Sequence, residues 1–195
     1  MNVINKILDR YKFVLHHVWN ICSKPDATLR YESLLNTFYG KKILQQFILP
    51  LAEILLVVAF LSTLLYFDLN LASAIVKSIF TYLIFIVSFG GSMFLVRRLL
   101  QYRFKIEIDM RNIMLMVASL MAVVFVVKFF GYIFPGLFFV SLFYLYNFYL
   151  VWVMSEGVID IPEEKRNECM VLVSFIVVAT PFVVEKLLNS LIPNL

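Results

Sequence analysis

Very few residues in this chain have the type and spacing that catalysis or metal binding requires. The only histidines are His16 and His17, and neighbouring side chains on a helix point about 100° apart, so they make a poor metal-binding pair. The two cysteines, Cys22 and Cys169, lack the spacing of a zinc site and are interpreted as small, reduced, apolar residues. The sequence contains no HExxH, GxSxG or glycine-rich phosphate motif. We therefore expect no enzyme activity, no metal and no cofactor.

Glu53 is the strongest candidate for a functional side chain. It lies about one turn inside an apolar stretch and close to Pro50, which removes a backbone hydrogen-bond donor and can bend a helix. A charge at membrane depth is costly, so ionisable residues in apolar stretches usually have a function. Glu53 could pair with a loop arginine, remain protonated or contact a lipid headgroup. The structural alternative is a buried ion pair that only fixes helix packing.

Tyrosines are concentrated in the fourth apolar stretch, where Tyr144, Tyr146 and Tyr149 lie within six residues. Their hydroxyl groups could bind a polar ligand, or they could find partners inside a helix bundle. We expect the second arrangement.

The elements that hold these residues are apolar segments of membrane-spanning length. The chain is 62% hydrophobic, far above the roughly 45–50% of soluble domains. Because a spanning helix requires about 20 mainly apolar residues, we predict an all-α membrane helix bundle. Residues 1–46 form a cytoplasmic amphipathic region in this prediction, and residues 47–195 form a domain of five spans. The predicted spans are residues 47–67, 72–96, 113–133, 137–157 and 170–188.

The distribution of lysine and arginine predicts the orientation. Seven of these residues precede the first span. Five lie between spans two and three, in a predicted loop from Arg97 to Arg111, and two lie between spans four and five, in a predicted loop from Pro162 to Arg166. The opposite side carries only Lys77, Lys128 and Lys186. The positive-inside rule therefore places the N-terminus in the cytoplasm and the C-terminus outside.

Apolar residues between Ile4 and Trp19 recur at helical spacing, and charged and polar residues occupy much of the other face. This pattern predicts an amphipathic helix, which could lie at the membrane interface or pack on the cytoplasmic ends of the spans. A turn at residues 23–26 and a second short helix at about residues 28–39 should follow.

The net charge of +4 is explained by orientation and by attraction to anionic lipids, so nucleic acid is not an expected partner. We expect membrane lipids, and other membrane proteins, to contact the cytoplasmic side and the first and fourth spans. The candidate contact residues are Trp19, Pro50, Glu53, Arg97, Arg98, Arg103, Lys105, Tyr146, Tyr149, Pro162, Glu163, Lys165 and Arg166.

Several short motifs occur in an order that resembles the bacterial branch of the Yip family, the Ypt/Rab-interacting membrane proteins. They are Trp19 and Pro25 before the first span, the Pro50-Leu51 pair that opens it, LYNFYLVW at residues 145–152 and IPEEKR at residues 161–166. The IFPGL sequence at residues 133–137 is similar to the family's turn between spans three and four. The resemblance covers about residues 18 to 195.

This resemblance implies a five-helix membrane bundle with a cytoplasmic N-terminus and a bacterial inner-membrane location. In eukaryotic members the family implies vesicle trafficking and membrane organisation, whereas for bacterial members the resemblance implies little about biochemical activity. The chain departs from the family pattern at three points. The third span lacks a proline, the first span begins with phenylalanine instead of tyrosine, and the Asp-Leu-Tyr-Gly-Pro signature of eukaryotic relatives is missing apart from Tyr39-Gly40. The last departure argues against small-GTPase binding.

Two functions from different classes stay open on the sequence. The first is a non-enzymatic membrane protein that organises lipids or partners through its cytoplasmic face. The second is a small-solute or lipid transporter, in which Glu53 and the span-four tyrosines would face a polar cavity between helices. An intramembrane enzyme is the least favoured because the sequence offers no nucleophile–base pair or metal cluster.

Overall fold

A computed structural model of the protein describes residues 3–30, 43–66, 71–157, 159 and 161–191. These residues are almost entirely helical, and no strand occurs among them. Five helical segments are long and apolar enough to cross a membrane, which confirms the predicted all-α membrane bundle. Both cysteines are free thiols.

Two helices precede the spans. Helix α1 runs over Val3–Ser23 and helix α2 over Pro25–Arg30. Proline suits the first turn of a helix because the N–H that it lacks would have no intrahelical partner there. The second helix therefore begins three residues earlier than predicted, and most of its predicted extent, to residue 39, lies outside the described residues.

The first span begins with a π-helical turn, Leu44–Ile48, and continues as helix α3, Leu49–Tyr66. In the π-helical turn the N–H of Leu49 donates to the carbonyl oxygen of Leu44, five residues earlier, instead of the usual four. The turn lies immediately before Pro50, and this position decides the geometry of the candidate site described below.

The second span is helix α4, Leu71–Leu99, extended by a π-helical turn at Leu100–Phe104. It ends at Lys105, whose φ of 55° lies in the left-handed region that terminates helices. Arg97, Arg98 and Arg103 were predicted in a loop, and this prediction is wrong. Membrane thickness limits the apolar part of a helix, but the helix itself can continue into the aqueous phase.

The third span, helix α5 at Met110–Ile133, is the centre of the bundle. Inside the bundle it buries 72% of its apolar window, whereas the other four spans bury 28–44%. A short 3₁₀ helix at Phe138–Leu145 and helix α6 at Tyr146–Gly157 form the fourth span. With rises of about 2.0 and 1.5 Å per residue, these two pieces cover about 34 Å, enough for a hydrocarbon core of about 30 Å.

The fifth span is helix α7, Glu163–Leu191. Glu163, Lys165 and Arg166 were predicted in a loop but belong to its first turns, so this prediction is wrong as well. Acidic residues at positions 163 and 164 favour a helix start because they interact with the positive end of the helix dipole.

Helices α4 and α7 pack closely at Gly91. A Cβ atom at this position would lie 3.3 Å from Cγ2 of Thr180, so only glycine fits without displacement. The neighbouring Gly90 faces open space. Small and hydroxyl-bearing side chains, which allow close helix approach in membranes, line the buried face of α4. They are Ala74, Ser78, Thr81, Ser88 and Ser92.

Candidate functional site

Pro50 leaves a backbone acceptor without its normal donor. The π-helical spacing pairs Leu44 with Leu49, so the next acceptor, the carbonyl of Gln45, would take its hydrogen bond from residue 50. Proline has no N–H. Instead, Nη2 of Arg10 donates to the carbonyl oxygen of Gln45 at 3.0 Å. A side chain of helix α1 therefore replaces the donor that the first span lacks.

The same guanidinium group faces Glu53. Nη2 of Arg10 lies 3.6 Å from Oε1 of Glu53, and the hydroxyl of Tyr11 donates to Oε2 at 2.7 Å. The sequence predicted a loop arginine as one possible partner for Glu53, but the cation comes from helix α1. We call Arg10, Tyr11, Gln45, Pro50 and Glu53 the Arg10–Glu53 site. Its carboxylate side chain keeps 35% exposure, so one side of the site is open.

Tyr11 keeps its proton at neutral pH. The hydrogen bond to Glu53 raises the pKa of the Tyr11 phenol, and burial adds to this effect. The phenol is therefore a stable donor, and the carboxylate of Glu53 is the acceptor. A carboxylate offers about four acceptor positions, so these two contacts do not exhaust its capacity.

Two grooves border this site. One, with a volume of about 270 Å³, is lined by Tyr11, Glu53, Ile54, Val57 and Val58. Its other span residues follow Glu53 on helix α3, so this groove extends from the ion pair along the first span.

The other groove has a volume of about 430 Å³ and carries charge. It is lined by Asp9, Arg10, Phe13 and Gln46. Because Arg10 touches Glu53, a charged groove and a mainly apolar groove adjoin the same ion pair.

The span-four tyrosines bind the N-terminal helices. The hydroxyl of Tyr146 donates towards the carbonyl oxygens of Cys22 at 3.0 Å and Ile21 at 3.3 Å. These carbonyls belong to the last turn of α1, where acceptors lack intrahelical donors. Tyr146 therefore caps the C-terminus of α1, and Tyr149 donates to Oδ2 of Asp26 at 2.9 Å.

Helices α1 and α2 together form what we call the cap. Its inner face buries Val14, Val18, Ile21 and Leu29 against the bundle. The burial of Cys22 raises the pKa of its thiol to about 11. The cap is therefore part of the bundle's packed core rather than a loosely attached tail.

A second apolar strip of α1 is exposed. Leu8, Leu15 and Trp19 lie beside the buried face, and Trp19 keeps 69% of its surface accessible. Lys12 and His16 follow next around the helix and are also exposed. Both sequence-based placements of α1 are compatible with this arrangement, since one face packs on the spans while the adjacent strip stays available.

The remaining candidate contact residues are spread over the surface near the ends of α4 and α7. Arg103 forms an ion pair with Glu168 at 3.0 Å. Arg98 donates to the Tyr102 hydroxyl at 2.6 Å and lies over the Tyr102 and Phe94 rings. Arg97, Lys105, Pro162, Glu163 and Lys165 are exposed.

Arg166 lies at the junction of the last two spans. It pairs with Glu156 at 3.1 Å, and the indole N–H of Trp152 donates to the same carboxylate oxygen at 3.0 Å. This cluster ties helix α7 to helix α6, separately from the Arg10–Glu53 site.

A further ion pair lies near the opposite ends of the spans. Nζ of Lys128 is 3.2 Å from Oε2 of Glu185, and the Lys128 side chain is largely buried. The sequence placed Lys128 on the side opposite the basic loops, and in the structure a carboxylate of helix α7 pairs with its cation. Tyr132 and Thr81 form a hydroxyl pair at 3.0 Å towards the same ends.

Arg10, Tyr11 and Asp26 are the site residues that sequence reasoning missed. All three lie in the N-terminal region, which the sequence indicated as amphipathic but did not connect to particular span residues. The sequence did offer one signal for them. The Glu53 carboxylate needs a hydrogen-bond donor, and so does the backbone carbonyl that receives no N–H from Pro50.

The described residues contain no group of three or more histidine, cysteine or acidic side chains that could hold a metal ion. In the comparisons with known proteins, no family model, no curated protein and no solved structure matches the chain.

Proposed function

We propose that this chain is a non-enzymatic integral membrane protein of Yip-like type that organises lipids and partner proteins through its cytoplasmic face. The cap and the basic ends of α4 and α7 form that face in this proposal. The bacterial inner membrane is the proposed location, with the N-terminus in the cytoplasm and the C-terminus outside, in accordance with the positive-inside rule.

The observation that carries the proposal is the construction of the cap. Its buried face is fixed to the first and fourth spans by Glu53, Tyr146 and Tyr149. Its exposed strip of Leu8, Leu15 and Trp19 lies beside cationic and polar residues. A rigidly held amphipathic helix with this composition suits the boundary between headgroups and acyl chains.

The same contacts favour membrane organisation over transport. A transporter of this size would need Glu53 and the span-four tyrosines around a common polar cavity. Glu53 instead binds Arg10 and Tyr11, whereas Tyr146 binds backbone carbonyls of α1. These groups hold a surface in place, which is what a binding scaffold requires.

Trp19 fluorescence tests the proposal. The chain has only two tryptophans, Trp19 and Trp152, so Trp152→Phe leaves Trp19 as the sole emitter. The variant is reconstituted in bilayers of phosphatidylglycerol and phosphatidylethanolamine that contain lipids brominated at different depths. We expect quenching by bromines near the headgroup end of the acyl chain, because the strip lies at the interface.

The reciprocal variant, Trp19→Phe, reports on Trp152 and controls for quenching elsewhere on the bundle. Emission from Trp19 at the wavelength of an indole in water, insensitive to every brominated lipid, would contradict the proposal.

A further inference from the structure

We infer that the Arg10–Glu53 site binds the headgroup of an aminophospholipid such as phosphatidylethanolamine, with one acyl chain in the groove beside Ile54, Val57 and Val58. This inference rests on the proposed function and deepens it, since it names a lipid class and a binding site for it.

The charges at the site favour a zwitterion over an anion. Among the described residues, the two grooves bring together one cation, Arg10, and two carboxylates, Asp9 and Glu53. An anionic headgroup that approached Arg10 would also meet both carboxylates. A headgroup that carries a phosphate and an ammonium can place each charge next to its opposite.

The hydrogen-bonding capacity of the site matches the same headgroup. Both described contacts of Arg10 use Nη2, which leaves Nη1 and Nε to donate to a phosphate oxygen. Glu53 accepts one short hydrogen bond from Tyr11, and its guanidinium contact is long at 3.6 Å. A primary ammonium brings three N–H donors, whereas the trimethylammonium of choline brings none.

The two grooves lie in the order that a phospholipid requires. The groove of Asp9, Arg10 and Gln46 is the charged one and lies level with the start of the first span. The mainly apolar groove continues from Glu53 along α3 towards the membrane interior, where Val57 is half exposed. A headgroup in the first groove therefore extends its acyl chain into the second.

Lipid competition in native mass spectrometry tests this inference. The detergent-purified full chain is incubated with phosphatidylethanolamine, its mono- and dimethyl derivatives, phosphatidylcholine and phosphatidylglycerol. We expect phosphatidylethanolamine to bind at least tenfold more tightly than phosphatidylcholine, with affinity falling as each methyl group removes a donor. Equal affinity along the methylation series would overturn the inference.

Glu53→Gln should reduce the preference for ethanolamine over choline to less than twofold, because the amide carries no charge. Arg10→Gln should weaken both zwitterionic lipids by a similar factor, since both carry the phosphate. Tyr11→Phe keeps the aromatic packing and leaves the Glu53 carboxylate in place with one more free acceptor position, so it should retain the ethanolamine preference; loss of that preference would count against the inference. Glu168→Gln alters a matched ion pair elsewhere and should leave the preference unchanged. An unchanged preference in Glu53→Gln would refute the assignment.

Two further experiments test whether an acyl chain occupies the groove beside Ile54, Val57 and Val58. Val57→Trp should fill it and lower the affinity for every phospholipid without changing the ethanolamine preference. Soluble glycerophosphoethanolamine, which has no acyl chains, should not compete at the same concentration. Effective competition by this headgroup alone would overturn the acyl-chain part of the inference.

Failure here is distinguishable from failure of the proposed function. Interfacial quenching of Trp19 without any ethanolamine preference would reject the headgroup site and leave the membrane-organising surface intact. A water-exposed Trp19 would reject both.

Discussion

Removing the hydroxyl groups of Tyr146 and Tyr149 should release the cap, and Cys22 provides an internal reporter of this release. Tyr146 caps the last turn of α1, and Tyr149 binds Asp26 at the start of α2. Changing both tyrosines to phenylalanine keeps the rings and deletes only the donors. The expected result is a cap that opens more often while the five spans stay folded.

The magnitude follows from the two contacts. A hydrogen bond contributes about 1 kcal/mol net, and the bond to the exposed Asp26 carboxylate is assigned the same value because solvent screens it. Loss of both therefore weakens docking by about 2 kcal/mol, or about 30-fold in the opening equilibrium.

The assay is alkylation of Cys22 by a maleimide in the Cys169→Ala background. Only the thiolate reacts, and in the docked cap burial raises the thiol pKa from 9.0 to about 11. The thiolate fraction at pH 7.5 is then about a hundredfold lower than in the open cap. Reaction therefore passes through the open state, and its rate should rise about 30-fold in the double variant.

Tyr102→Phe is the matched control, because among the described residues the Tyr102 hydroxyl binds Arg98 of the second span and no cap residue, so its loss should leave the rate unchanged. A double-variant rate within twofold of the parent would refute the reasoning, since it would mean that these hydroxyls do not hold the cap. Equal acceleration by Tyr102→Phe would point to general loosening of the bundle and would also refute it.

Three other predictions test separate parts of the structure. Arg103→Gln should lower the amount of phosphatidylglycerol that co-purifies with the protein less than Arg98→Gln does, because the Glu168 carboxylate already neutralises Arg103. A cation without such a partner contributes about 1 kcal/mol near an anionic surface. Equal losses in the two variants would contradict this prediction. Burial lowers the pKa of His17, so its contribution to cap docking is present above about pH 6.5 and is lost as the pH falls. Hydrogen exchange of α1 should accelerate between pH 7 and 5, after correction for the intrinsic rate, and His17→Gln should remove this dependence. Gly91→Ala should lower the unfolding temperature in detergent, because the alanine Cβ would lie 3.3 Å from Cγ2 of Thr180. Thr180→Ser deletes that methyl group, so adding it to Gly91→Ala should restore the unfolding temperature.

The sequence was sufficient to predict the helix bundle because each span carries a long apolar signal of its own. It was less informative about where helices end. Arg97 and Arg103 lie beyond the apolar stretch of the second span but remain helical, since a change to polar residues does not by itself end backbone hydrogen bonding. The 3₁₀ start of the fourth span was not predicted either, because its apolar residues satisfy the same hydropathy pattern as an α-helix.

The candidate site was predictable only in part. Glu53 and Pro50 stood out because each breaks a local rule, one by placing a charge among apolar residues and the other by removing a donor. Their partners were not predictable, since Arg10 and Tyr11 follow the ordinary pattern of an amphipathic helix. The contact joins residues 42 positions apart and depends on how α1 lies against the first span.

The contacts of the cap also impose an order on biogenesis. Helix α1 is synthesised first, yet Tyr146, which caps it, follows Ile21 by 125 residues. At about 5–20 residues per second, that interval lasts about 6–25 seconds. During this time helix α2, which packs on the fourth span, and the C-terminus of α1, which Tyr146 caps, have no fourth span to bind. The cap therefore completes its docking only after the fourth span has been made, and a docked cap indicates that this span is in place.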